Sequence, residues 1–142
     1  MTERIDVWRT RLTILLAFVF GVGGVLHLLI PKPFLSITPE WVPFPGAVIM
    51  LTGLCEIAGA AGLLVPRLRR MAGLGLALYA LCVFPANIKH ASDSLGGPDP
   101  SLWQWFYHFV RLPLQPVIVW AALFTGRAVA WPFAAGSGKA GP

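Results

Sequence analysis

Four long, nearly uncharged apolar runs limit what this chain can fold into. They cover about residues 12–30, 46–65, 71–88 and 112–133 of 142. A run of about 20 apolar residues is the length of one helical crossing of a bilayer's hydrocarbon core. Only 12% of the residues are charged and 56% are hydrophobic, with a mean hydropathy of +0.71. A soluble domain carries about a quarter charged residues. The pattern predicts an all-α integral membrane protein, an antiparallel four-helix bundle in one domain over residues 1–134. Residues 135–142, rich in Gly and Ala, read as a flexible tail.

The punctuation agrees with this division. Pro31 ends the first run and Pro66 ends the second. The basic start resembles a signal peptide. Its apolar run of 19 residues is longer than a signal's and has no small-residue cleavage site after it. It therefore reads as a retained first helix. Residues 31–45 hold five prolines, a density that argues against regular structure. Residues 89–110 read as a second long loop, with Gly96, Gly97, Pro98 and Pro100 as breakers and an aromatic cluster from Trp103 to Tyr107. Pro113 suits the first turn of a fourth helix, and Pro116 is placed to kink it.

Lys and Arg set the orientation. With the N-terminus in the cytoplasm, the inside carries Arg4, Arg9, Arg11, Arg67, Arg69, Arg70, Arg127 and Lys139. The outside carries Lys32, Lys89 and Arg111. Eight against three is a positive-inside bias. It predicts an inner, plasma-membrane location with both termini cytoplasmic. The net charge of +5 belongs to the connections and suits contact with lipid headgroups rather than nucleic acid.

Small residues mark where helices meet. Gly21, Gly23 and Gly24 lie on the first run, Gly53, Gly59, Ala60 and Gly62 on the second, and Gly73, Ala77 and Ala80 on the third. Such faces let backbones approach closely in lipid.

Glu56 lies in the middle of the second run. A carboxylate there costs roughly 2.5–3.5 kcal/mol on insertion scales, so it needs a partner inside the fold. His27, Asn87, Arg111 and Gln115 all fall in the outer half of their runs and offer donors. The expectation is one outward-facing polar pocket with Glu56 at its floor. In a catalytic reading Glu56 and His27 exchange protons with a substrate, and Arg111, Gln115 and Asn87 hold its oxygens. The alternatives are an interhelical hydrogen bond for Glu56, a rim carbonyl for His27, snorkelling for Arg111, and interhelical glue for Asn87 and Gln115. Lys89, His90 and His108 read as surface groups. Three histidines without paired spacing do not make a metal site. Cys55 and Cys82 lack a C-x-x-C pattern and read as apolar filler, with a redox pair as the other possibility.

Several segments, taken together, resemble the DoxX family of small four-helix membrane proteins. They are Gly24-Val25-Leu26-His27 with Pro31 and Phe34, Trp41-Val42-Pro43-Phe44-Pro45, and Thr52-Gly53 with Glu56 and Gly59. Further along come Gly62-Leu63-Leu64-Val65-Pro66, Arg69-Arg70, Phe84-Pro85-Ala86-Asn87-Ile88 and Arg111-Leu112-Pro113-Leu114-Gln115. The likeness covers roughly residues 15–125. It implies a four-helix membrane fold and an association with respiratory or thiol redox systems. By motif position it points to His27, Glu56, Asn87, Arg111 and Gln115. The function it implies is a component of a quinone-linked or thiol-linked redox system. No covalently bound cofactor is implied; the partners are the lipid bilayer, a quinone or other lipophilic molecule and a redox partner protein. The alternative is a non-catalytic subunit that binds a small molecule or lipid, or a structural one.

Overall fold

The computed structural model of the chain describes residues 2–130, with side chains from residue 4. The proposed tail at 135–142 lies outside the described residues, as do Lys139 and the last positions of the fourth run. The described chain is helical, with four long helices and one short one. Helix α1 spans Thr2–Leu29, α2 Lys32–Ser36, α3 Pro45–Leu64, α4 Arg69–Leu95 and α5 Leu102–Thr125. The four long ones are long and apolar enough to cross a membrane.

Local chemistry sets the ends of these helices. Helix α3 starts at Pro45, where the missing N–H costs nothing. The preceding Phe44 sits in the left-handed region at φ 49°, ψ 55°. A following proline disfavours the right-handed α region there. At the other end, Arg69 Nε donates to the Leu63 carbonyl at 2.8 Å, which satisfies an acceptor that the helix itself cannot. The proline-rich connection is not wholly irregular, because Pro31 and Pro33 fall at the cap and first turn of α2. Proline is tolerated at those positions.

The second long loop expected over 89–110 is a correction. Helix α4 runs on to Leu95 and α5 begins at Leu102, so only residues 96–101 connect them. The cause is a capping box. The Ser101 hydroxyl accepts from the Gln104 N–H, and the Gln104 side chain accepts from the Ser101 N–H at 2.7 Å. Pro113 is therefore in the helix interior, not its first turn, and so is Pro116. Each removes a backbone donor, leaving the carbonyls of Phe109 and Leu112 without their usual helical partners. The aromatic cluster from Trp103 to Tyr107 is helical.

Helices α1 and α3, α3 and α4, α4 and α5, and α5 and α1 pack against one another. The glycines anticipated at the interfaces lie there. A Cβ on Gly24 would stand 2.5 Å from the Gly53 carbonyl oxygen, and one on Gly53 would stand 2.8 Å from His27 Cβ. The buried apolar cluster is confined to one end of the molecule. It is built from Leu16, Ala17, Phe20, Ala60, Leu63, Leu76, Ala77, Ala121 and Ala122. This is the end that holds the short α3–α4 turn and the C-terminus of α5.

The Gly24–Gly53 approach predicts a clear contrast. Gly53→Leu forces overpacking against α1 and is expected to destabilise by about 1–3 kcal/mol or more. Gly75→Ala adds a Cβ that meets nothing within 4 Å, and is expected to stabilise by about 0.4–1 kcal/mol. Thermal melts of the purified variants check both.

Candidate functional site

The half of the molecule away from the apolar cluster opens into a cavity of about 630 Å³. All four long helices line it, together with the connection between α1 and α3. Its size lies in the range of small-molecule sites, about 300–1,000 Å³. Most of the wall is apolar, including Phe20, Phe34, Val48, Ile49, Val83, Phe106 and Ile118. The polar groups form two clusters at different depths.

The first cluster surrounds Glu56, which is buried with 7% of its surface exposed. His27 Nδ1 lies 3.0 Å from Glu56 Oε2, and both side chains are largely withdrawn from the surface. With Nδ1 protonated, His27 donates and the carboxylate accepts. Tyr79 of α4 interacts electrostatically with the same carboxylate. Gly23 leaves the carboxylate its room, since a Cβ there would stand 3.0 Å from Glu56 Oε2. The Phe34 ring of α2 lies on the His27 ring, with centroids 3.8 Å apart and planes tilted by 37°. The short helix thus holds the imidazole from the connection side.

The second cluster joins α4 to α5. Gln115 Nε2 donates to the Ala80 carbonyl. Asn87 Nδ2 donates to Gln115 Oε1 at 3.0 Å, and Arg111 Nη2 donates to Asn87 Oδ1 at 2.7 Å. Arg111 Nη1 donates to the Tyr107 hydroxyl oxygen at 2.7 Å and meets His90 Nδ1 at 2.9 Å. Arginine has no acceptor, so His90 accepts at Nδ1 and carries its proton on Nε2.

The five residues expected at the pocket all line this cavity, but they do not all converge on Glu56. Only His27 reaches it. Asn87, Gln115 and Arg111 bind one another, because Asn87 lies eight residues beyond Tyr79 on α4, about 12 Å of helix rise. Tyr79 escaped the sequence reading, His90 was expected only as a surface group, and Tyr107 only as part of an aromatic loop cluster, whereas both meet Arg111. Tyr107 is one helical turn from Arg111, a spacing visible in the sequence once α5 is known to start at Leu102.

The expectation that His108 is a surface group is corrected. It has 1% exposure, and both ring nitrogens lack a hydrogen-bond partner. Its seven-residue spacing from buried Gln115 puts it on the same helix face. Its ring meets those of His90 and Tyr107 edge-on, with centroids 4.7 and 4.9 Å apart. Cys55 and Cys82 are free thiols, and Cys82 lines the cavity. Among the described residues, no group of three or more His, Cys, Asp or Glu side chains is placed to hold a metal ion.

Comparison with known families gives one result. A family model described as a domain of unknown function (DUF8561) matches residues 16–125. No curated protein and no solved structure matches. The resemblance to DoxX is thereby overturned: the matching family is a different one. The glycines, prolines and polar residues behind that resemblance serve close helix packing and internal hydrogen bonding. Those demands are general to polar groups held between apolar helices.

The His27–Glu56 pair predicts a coupling. His27→Ala leaves a buried carboxylate without its donor, and Glu56→Ala leaves the imidazole without its acceptor. In a double-mutant cycle followed by thermal or denaturant unfolding, the two are expected to couple by about 0.5–3 kcal/mol, the double variant losing less than the sum.

Proposed function

The chain belongs to the DUF8561 family, and we propose that it is an integral membrane protein holding a lipophilic small molecule in its cavity and exchanging a proton with it through Glu56 and His27. One observation carries this reading: a hydrogen-bonded carboxylate and imidazole line a mostly apolar chamber of small-molecule size. An apolar body fills such a chamber, and the pair is its source or acceptor of a proton. A neutral imidazole and a carboxylic acid, or an imidazolium and a carboxylate, differ only by a proton moved across one hydrogen bond.

The membrane setting rests on the four apolar helices and their outer surface. Phe18, Leu51, Leu78 and Phe109 are all more than half exposed, a pattern that favours a lipid environment over water. The contacts between glycines on facing helices suit an antiparallel four-helix bundle. Arg4, Arg9, Arg11, Arg67, Arg69, Arg70 and Arg127 gather toward the closed end, and Lys32, Lys89 and Arg111 toward the cavity end. The positive-inside bias then puts the closed end and both termini in the cytoplasm, with the cavity opening outward from the plasma membrane.

The quinone-linked redox reading took its electrons and its partner protein from the DoxX likeness, and it goes with that likeness. Binding with proton exchange needs only the residues present.

Two measurements test the proposal. Mass spectrometry of the protein purified from membranes is expected to find a lipophilic molecule at near-stoichiometric amount. Its binding is expected to take up or release a proton, read calorimetrically as a binding heat that depends on the ionisation enthalpy of the buffer. Glu56→Gln keeps the shape and removes the carboxyl group, so it is expected to abolish that buffer dependence. A buffer dependence unchanged in Glu56→Gln would remove the proton-exchange role.

A further inference from the structure

Arg111 carries a permanent positive charge and offers five N–H donors. Three are engaged: two on Nη1, by Tyr107 and His90, and one on Nη2, by Asn87. All three acceptors are neutral. Ion pairs among the described residues join Arg9 to Asp6, His27 to Glu56 and Lys89 to Asp93, and none includes Arg111. The guanidinium is half-buried on the wall of a mostly apolar cavity, with no carboxylate at ion-pair distance among the described residues. A guanidinium already partly desolvated and held in place is suited to take an anionic partner.

The hydrogen bonds behind Arg111 run in one direction. The Ala80 carbonyl can only accept, so the Gln115 amide turns its NH₂ toward it and its oxygen toward Asn87. Asn87 then donates to Gln115 and turns its own oxygen to Arg111. The amides of Asn87 and Gln115 are thus spent on holding Arg111 in place. The Nε–H and one Nη2–H of Arg111 remain unengaged. The Tyr107 oxygen accepts from Arg111, which leaves its O–H to donate. Ile118, which also lines the cavity, lies seven residues further along the same helix face, about 10 Å below.

We propose that this end of the cavity is an anion site. The occupant is an amphiphile with an acidic headgroup, its anionic oxygens on Arg111 and Tyr107 and its apolar body directed toward Glu56. This deepens the small-molecule reading and rests on it. Carboxylates and phosphates share the required chemistry, because both present paired oxygens to a guanidinium.

Binding of three probes, brominated dodecanoic acid, brominated dodecyl phosphate and brominated dodecanol, is the test. The protein is held in nanodiscs of neutral phosphatidylcholine. Trp41 and Trp103 line the cavity, so the part of the tryptophan quenching that saturates with probe and is competed away by the unbrominated compound reports occupancy. At least one acidic probe is expected to bind about tenfold or more tightly than the alcohol. Arg111→Gln is expected to abolish that preference and Arg111→Lys to keep part of it. Retained alcohol binding shows that a variant is folded. Preference for the phosphate indicates a lipid-type headgroup, and preference for the carboxylate a free acid; either supports the anion site. Equal binding of acid and alcohol by the unsubstituted protein overturns the anion site and leaves the cavity reading standing. No quenching by any probe overturns both.

Discussion

A carboxylate placed between apolar helices must find its hydrogen-bond partner within the protein, and the arrangement of this chain follows from that constraint. Glu56 meets His27 because α1 and α3 approach backbone to backbone at Gly24 and Gly53. A side chain at either position would separate the helices and pull imidazole from carboxylate. Gly23 then leaves the space that the carboxylate occupies. The helix contact and the polar contact are therefore one feature: the glycines act on the site through distance alone. Phe34 completes it from the connection, which explains why a single turn of helix sits within a proline-rich stretch.

Much of this was legible in the sequence. Run lengths and terminating prolines located the central part of each long helix, though not the end of α4 or the start of α5, since both signals follow from helix geometry and the missing proline N–H. The position of Glu56 required a partner, and His27 was among the donors at the right end of its run. Less legible was how the donors divide. Depth counting placed Asn87, Arg111 and Gln115 in the same half as Glu56, but it could not show that they would satisfy one another. That outcome depends on Arg111 turning toward α4, and on a backbone carbonyl, Ala80, that no residue type announces. The long second loop was misread because Pro113 looked like a helix start. The capping pair Ser101 and Gln104 was the stronger signal, with the breakers confined to the residues just before it. His108 was misread for the same reason: placed in a loop it looks exposed, whereas on α5 it shares a buried face with Gln115.

The two polar clusters differ in charge. The Glu56–His27 pair sets an acidic group beside an imidazole. The Arg111 cluster holds one cation among neutral acceptors. Along its length the cavity therefore has an end that carries an acidic group and an end that carries a fixed cation, separated by apolar wall. An occupant would be oriented by that difference even if its shape were symmetric. Hydrogen bonds alone would orient it less strongly, because neutral donors and acceptors occur at both depths.

The confinement of the apolar cluster to one end bears on how the molecule moves. Resistance to local opening follows buried contacts, so protection of backbone amides is graded along each helix. Around Leu63, Leu76 and Ala122, exchange with solvent requires the whole fold to come apart. Around the cavity, α4 and α5 carry Pro85, Pro113 and Pro116, each interrupting the ladder of helical hydrogen bonds. Opening of those turns is therefore expected to need less free energy than opening around the apolar cluster. Helices α4 and α5 would then act as levers held at that cluster, a small tilt there becoming a larger shift at the chamber wall.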